Sequence, residues 1–62
     1  MMSKNIKFWL KVRNMTMKHM AQLLYISPGT LSYWINTESV PSYVINRMAK
    51  ILRVPVEKLI GG

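Results

Sequence analysis

Three prolines limit the length of every element the second half of this chain can build. Pro28, Pro41 and Pro55 recur at near-regular intervals through the second half. A proline lacks an N–H and its ring collides with the preceding helical turn, so no helix runs through one. Two of the three sit beside a residue suited to start a helix: Ser27 precedes Pro28 and Ser42 follows Pro41. Such punctuation belongs to a bundle of short helices rather than to one long helix. At 62 residues the chain has room for a single domain, spanning 1–62.

The pattern between the breaks predicts five helices. Ser3 is placed to cap the first, which runs to about Arg13. Ile6, Leu10 and Arg13, with Trp9 beside them, follow helical spacing. Asn14 marks its end, because Asn tolerates the left-handed backbone. Thr16 is an N-cap for the second helix, whose apolar stripe is Met17, Met20, Ala21 and Leu24. Tyr25-Ile26 forms the turn. Ser27-Pro28 is the strongest start signal in the chain: the hydroxyl accepts from an orphan amide, and proline's φ is already helical. The third helix reaches about Asn36, with Leu31, Trp34 and Ile35 inward and Thr30, Ser32, Tyr33 and Asn36 outside. Ser42 is expected to cap the fourth, with the stripe Ile45, Met48, Ala49 and Leu52. Val56 to Ile60 adds one or two turns, and Gly61-Gly62 is a frayed tail. The β-branched and aromatic letters of "YISPGTLSYWI" also suit a hairpin. Apolar spacings of three and four after Pro28 rank the helix above it.

Nine Lys/Arg stand against two Asp/Glu, for a net charge of +7. So large an excess on so short a chain points to a polyanion, either nucleic acid or an acidic membrane surface. The chain has no cysteine, which excludes disulfides and thiolate zinc sites. Stability must come from packing, with a partner subunit as the other available source: a domain this small buries only about 60% of its unfolded surface. No apolar run approaches the ~18 residues of a spanning helix. Lys7 and Lys11 interrupt any apolar signal region, so the cytoplasm is the expected compartment.

"TMKHMAQLLYISPGTLSYWIN", Thr16 to Asn36, resembles the helix-turn-helix of the Cro/C1-type (XRE) family. Met20-Ala21, Ile26, Ser27, Thr30-Leu31-Ser32 and Trp34 occupy that family's positions. "MAKILRVPVEKLI" resembles its ending. The match to small lambdoid-phage repressor and Cro domains is ungapped from about Ile6 to Gly62. The resemblance implies an all-α, compact five-helix bundle that binds operator DNA in the cytoplasm of a bacterial or phage-infected host. It implies that Ser27, Pro28, Gly29, Ser32 and Tyr33 face the major groove. Thr16, Met17, Lys18, Asn36 and Tyr43 would meet phosphates. Val44, Val56, Lys58 and Leu59 would form a small dimer surface, giving weak homodimers completed on double-stranded DNA. The chain departs from the family pattern in four places. Met17 replaces a glutamine and Tyr25 a glycine. Leu10 and Ile35 replace a buried Arg–Glu pair together, a swap that is often neutral or stabilising. "TESVP" replaces a basic loop.

Other residues read as structural. Trp34 belongs to the core, Phe8 and Trp9 cannot both face inward, and the six methionines are flexible filler. His19, alone and without cysteines or nearby acids, is solvated. Glu38 and Glu57 are the only carboxylates, so no acid–base pair, cofactor, metal or small-molecule ligand is expected. Two other functions compete with transcriptional regulation. One is a DNA-binding antitoxin or another module that needs a protein partner. The other is a membrane-active cationic peptide, suggested by "MMSKNIKFWLKVR". Circular dichroism separates the bundle from the peptide. The bundle gives a cooperative thermal transition in plain buffer, whereas the peptide gains helix only with anionic vesicles.

Overall fold

The computed structural model describes residues 2–61, and no strand occurs among them. Five helices follow in order: α1 Met2–Val12, α2 Met17–Leu24, α3 Pro28–Asn36, α4 Ser42–Leu52 and α5 Glu57–Ile60. α2 packs against α3 and α4, and α1 against α3 and α5. The described chain measures 26 × 23 × 18 Å. The protein is an all-α, compact five-helix globule, and the hairpin is excluded.

Each of the first four helices stops in the same way. Asn14, Tyr25, Glu38 and Arg53 take left-handed φ values of 56°, 60°, 54° and 60°. The N–H of each donates to a carbonyl three residues back: Lys11, Gln22, Ile35 and Lys50 respectively. The next N–H reaches five residues back, from Met15 to Leu10, Ile26 to Ala21, Ser39 to Trp34 and Val54 to Ala49. This paired closure satisfies carbonyls that a helix end leaves orphaned. Met15, Ile26 and Val54 then pack against the core, which turns each stop into a bend of defined direction.

The starts divide differently. Thr16 accepts from the His19 N–H and Ser27 from the Thr30 N–H, as the sequence predicts. Ser3 does not cap α1, because it lies inside a helix already begun at Met2. Ser42 is the first residue of α4 and makes no capping bond; Pro41 holds the cap position. The Pro41 carbonyl accepts from Val44 and Ile45, so the backbone closes this turn without a side chain.

The core is wholly apolar. Ile6 and Leu10 come from α1; Met20, Ala21 and Leu24 from α2; Leu31 and Ile35 from α3. Val44, Ile45, Met48, Ala49 and Leu52 come from α4, Val40 from the loop before it, and Leu59 from α5. Leu10 and Ile35 are both buried. Trp34 is only half-buried and lies against the edge of the core. Trp9 is half-buried while Phe8 is exposed, so one of the pair faces out. Arg13 is exposed rather than part of the α1 stripe. Its Nε donates to the Leu52 carbonyl at 2.7 Å, and its guanidinium lies 5.5 Å from the Trp9 ring centre. Met20 and Met48 are buried, and Met2, Met15 and Met17 pack at the core's edge. Met1 and Gly62 lie outside the described residues. Gly61 is held rather than frayed. Its N–H donates to Glu57, its carbonyl accepts from Asn5, and a Cβ there would collide with the Glu57 carbonyl.

Tyr25 tests the helix stops. Its side chain is 89% exposed, so truncation loses little packing. A left-handed non-glycine residue costs about 1–2 kcal/mol. Glycine's extra freedom in the unfolded chain gives back about 0.4–1 kcal/mol. Tyr25→Gly should therefore stabilise the fold by up to about 1.5 kcal/mol. A calorimetric melt should rise by several degrees, and an unchanged or lower melt would mean that the ring contributes more than its exposure suggests.

Candidate nucleic-acid interface

The first turn of α2 opens into a cleft of ≈ 320 Å³ lined by Lys7, Leu10, Lys11, Asn14, Met15, Thr16 and Met17. The first backbone bond of this helix runs from the Met20 N–H to the Thr16 carbonyl, and the Thr16 hydroxyl takes the His19 N–H. The amides of Met17 and Lys18 precede both. A helix start of this kind attracts anions through its free N–H groups and its dipole. Lys7 and Lys11 stand one turn apart on α1, line this cleft together with Leu10, and add positive charge. No acid lies in the first turn of α2.

Sequence reasoning assigned this region Thr16, Met17 and Lys18. The structure brings Thr16 and Met17 into the cleft, with Met17 half-buried and Lys18 exposed beside it. It adds Lys7 and Lys11, which the sequence reading passed over. The i, i+4 spacing of these lysines was a visible signal, but placing them near Thr16 required the packing of α1.

α3 begins beyond the turn at Tyr25. Ser27, Pro28, Gly29 and Tyr33 are exposed, with Tyr33 at 65%. Thr30 and Ser32 are half-buried, which places them further in than expected. Nothing lies within 4 Å of a Cβ built on Gly29, so the backbone there is open to approach from outside. The hydroxyls are tied into two groups. The Ser27 Oγ accepts from the Thr30 N–H at 3.1 Å and donates to the Thr30 Oγ1 at 2.8 Å. At the other end, Lys7 Nζ donates to Asn36 Oδ1 at 3.2 Å, and Asn36 Nδ2 donates to Ser32 Oγ at 3.2 Å. Lys7 thus joins the cleft of α2 to the outer face of α3.

The loop after α3 carries less charge and more internal bonding. Thr37 Oγ1 donates to the Tyr33 carbonyl at 2.6 Å and lies 2.6 Å from Ser39 Oγ. Val40 anchors the loop in the core. Tyr43 follows in the first turn of α4, 64% exposed.

The expected dimer surface is not brought together. Val44 and Leu59 are 2% and 0% exposed, consumed by the protein's own core, so neither has a surface to offer a second copy. Val56 is half-buried and Lys58 exposed. Ile60, which the sequence reading omitted, is half-exposed beside Val56, and both line a cleft with Ser42, Ile45 and Asn46.

Among the described residues no group of His, Cys, Asp and Glu could hold a metal ion, and no helix is long and apolar enough to cross a membrane. His19 is exposed. Comparison with protein families, curated proteins and solved structures finds no match.

The two serines placed as caps should differ when truncated. Ser27→Ala removes a hydroxyl that serves α3 and should cost about 1 kcal/mol. Ser42→Ala removes no cap bond and should stay within about 0.5 kcal/mol. Urea denaturation of both variants reads the difference, and equal midpoints would contradict the assignment.

Proposed function

We propose that this protein is a sequence-specific DNA-binding transcriptional regulator of the Cro/C1 kind. The observation that carries the reading is the junction of the α2 cleft with α3. A cationic helix start that suits a phosphate adjoins an exposed helix of hydroxyl-bearing residues, and Lys7 bridges the two. In this reading α2, the turn at Tyr25 and α3 form a helix-turn-helix whose second helix enters the major groove. Thr16, the Met17 amide, Lys18, Asn36 and Tyr43 hold the phosphate backbone, with Lys7 and Lys11 beside them. Ser27, Pro28, Gly29, Ser32 and Tyr33 meet the base edges. Phosphate contacts fix position and orientation, while base contacts supply sequence preference.

The longest dimension is 26 Å, short of the ~34 Å of one helical turn of DNA. One copy therefore covers one half-site, and a pseudo-palindrome takes two. Val56, Lys58 and Ile60 are what remains for contact between them. The surface is small and carries like charge, so pairing is weak off DNA and completes on the operator. Regulation is steric, through an operator that overlaps a promoter.

α1 favours a second reading in one respect. Phe8 and Val12 are exposed beside Lys4 and Lys11, an arrangement suited to an acidic membrane surface. Against it, Ile6 and Leu10 of the same helix are committed to the core, so α1 could not bury its main apolar face in lipid without unfolding the domain.

Binding should weaken steeply with salt, because each phosphate contact releases counterions and contributes a slope of about −0.9 in log K against log salt. Ser32→Ala and Tyr33→Ala should relax sequence preference more than they weaken binding to random DNA. Lys18→Ala should do the opposite. Fluorescence anisotropy on selected and random duplexes across a salt series measures all three. Salt-indifferent binding, or identical behaviour of the two classes of variant, would remove the basis for this function.

A further inference from the structure

We propose that Lys7 sets the hydrogen-bonding polarity of α3, so that Ser32 meets DNA as a donor and the base opposite it is one that presents acceptors, guanine before cytosine. The proposal rests on the DNA-binding reading above and concerns how the same face discriminates.

An ammonium has three donors and no acceptor. Lys7 Nζ lies 3.2 Å from the Asn36 side-chain amide, so the atom facing it must be the oxygen. That choice turns the amide's NH2 toward Ser32, whose Oγ accepts at 3.2 Å. A serine hydroxyl has one hydrogen and two lone pairs. With one lone pair engaged by Asn36, the hydrogen stays free to point outward. A flipped amide would take that hydrogen and leave Ser32 only lone pairs to show. The lysine charge also polarises the chain: Asn36 becomes a better donor to Ser32, and Ser32 in turn a better donor beyond.

The start of α3 repeats the pattern. Ser27 Oγ accepts from the Thr30 N–H and donates its hydrogen to Thr30 Oγ1, which leaves the Thr30 hydrogen free. Each of the two bonded clusters, Ser27–Thr30 and Ser32–Asn36, thus keeps one hydroxyl hydrogen free to donate. In the major groove guanine offers N7 and O6 as acceptors, adenine N7 and thymine O4, while cytosine offers only an N4 donor. α3 carries no Arg, Lys or Gln and a single Asn, so it lacks the side chains that usually make paired base contacts. Fixing the direction of single hydroxyl bonds gives it a means of discrimination without them.

The test is selection of bound oligonucleotides from a random pool, run on the parent protein and four variants, each first checked for a cooperative melt. The parent should favour guanine over cytosine at one position of the half-site by roughly two- to tenfold, the worth of one net hydrogen bond. Ser32→Ala should flatten that position alone. Lys7→Met should flatten it as well, because the amide can then turn. Lys11→Met, which removes a cation from the same cleft, should lower affinity and keep the preference. Asn36→Asp should move the preference toward cytosine or adenine, since a carboxylate only accepts and draws the Ser32 hydrogen inward. A parent preference untouched by Lys7→Met and Asn36→Asp overturns the proposal while the DNA-binding function stands. No enriched sequence from the parent overturns that function itself, and this inference with it. A measurement without DNA decides the clamp alone: the Asn36 side-chain amide resonances should move in Lys7→Met and stay in Lys11→Met. Resonances that do not move in Lys7→Met overturn the proposal.

Discussion

An apolar core, with no buried polar side chain among the described residues, is the constraint on which the other features rest. No disulfide or thiolate metal site supports it, so side-chain packing must carry the fold. A fully buried Leu, Ile or Met contributes about 1.5–3 kcal/mol. All five helices supply such residues. Leu10 and Ile35 show the consequence most directly. Two apolar groups there avoid the desolvation that a buried ion pair would bring. Every charge is left on the outside, where nine cations and two acids shape the field.

That division explains why much of the fold was legible in the sequence. Buried positions recur with helical spacing, so the stripes of α2 and α4 could be read directly. Thr16 and Ser27 were legible because a hydroxyl before a helix has a single strong use. Ser3 and Ser42 carry the same signal and fail, since nothing in one sequence says whether a helix has already begun. The stops at Glu38 and Arg53 were hidden, because neither residue favours a left-handed backbone. There the two backbone bonds of the closure and the packing of the next segment override local preference. The candidate site was less legible than the fold. Val44 and Leu59 look like any surface aliphatic until the packing of α4 and α5 shows them buried. Lys7 lies far from Asn36 in sequence, and only the packing of α1 on α3 joins them.

The outer face of α3 is made of hydroxyls, an amide, an open glycine and a tyrosine. Such groups form single bonds and follow shape, where an arginine or glutamine would form a paired contact with one base. In the proposed DNA-binding role, a helix of this kind would gain specificity from the sequence-dependent form and stiffness of DNA as well as from base edges. Its precision then depends on rigid placement, which the bonded groups at Ser27–Thr30 and Ser32–Asn36–Lys7 supply.

The two ends of the described chain meet. Asn5 near the start of α1 donates to the carbonyls of Leu59 and Gly61, at 3.1 and 2.8 Å. These contacts span nearly the whole sequence, so forming them requires closing the largest loop the chain contains. α5 has only four residues and cannot persist as an isolated helix. Its docking therefore belongs to the end of folding, after α1 to α4 have built the slot that Leu59 fills. By the same reasoning α5 is the element expected to lift away first, baring one edge of the core where it packs on α1.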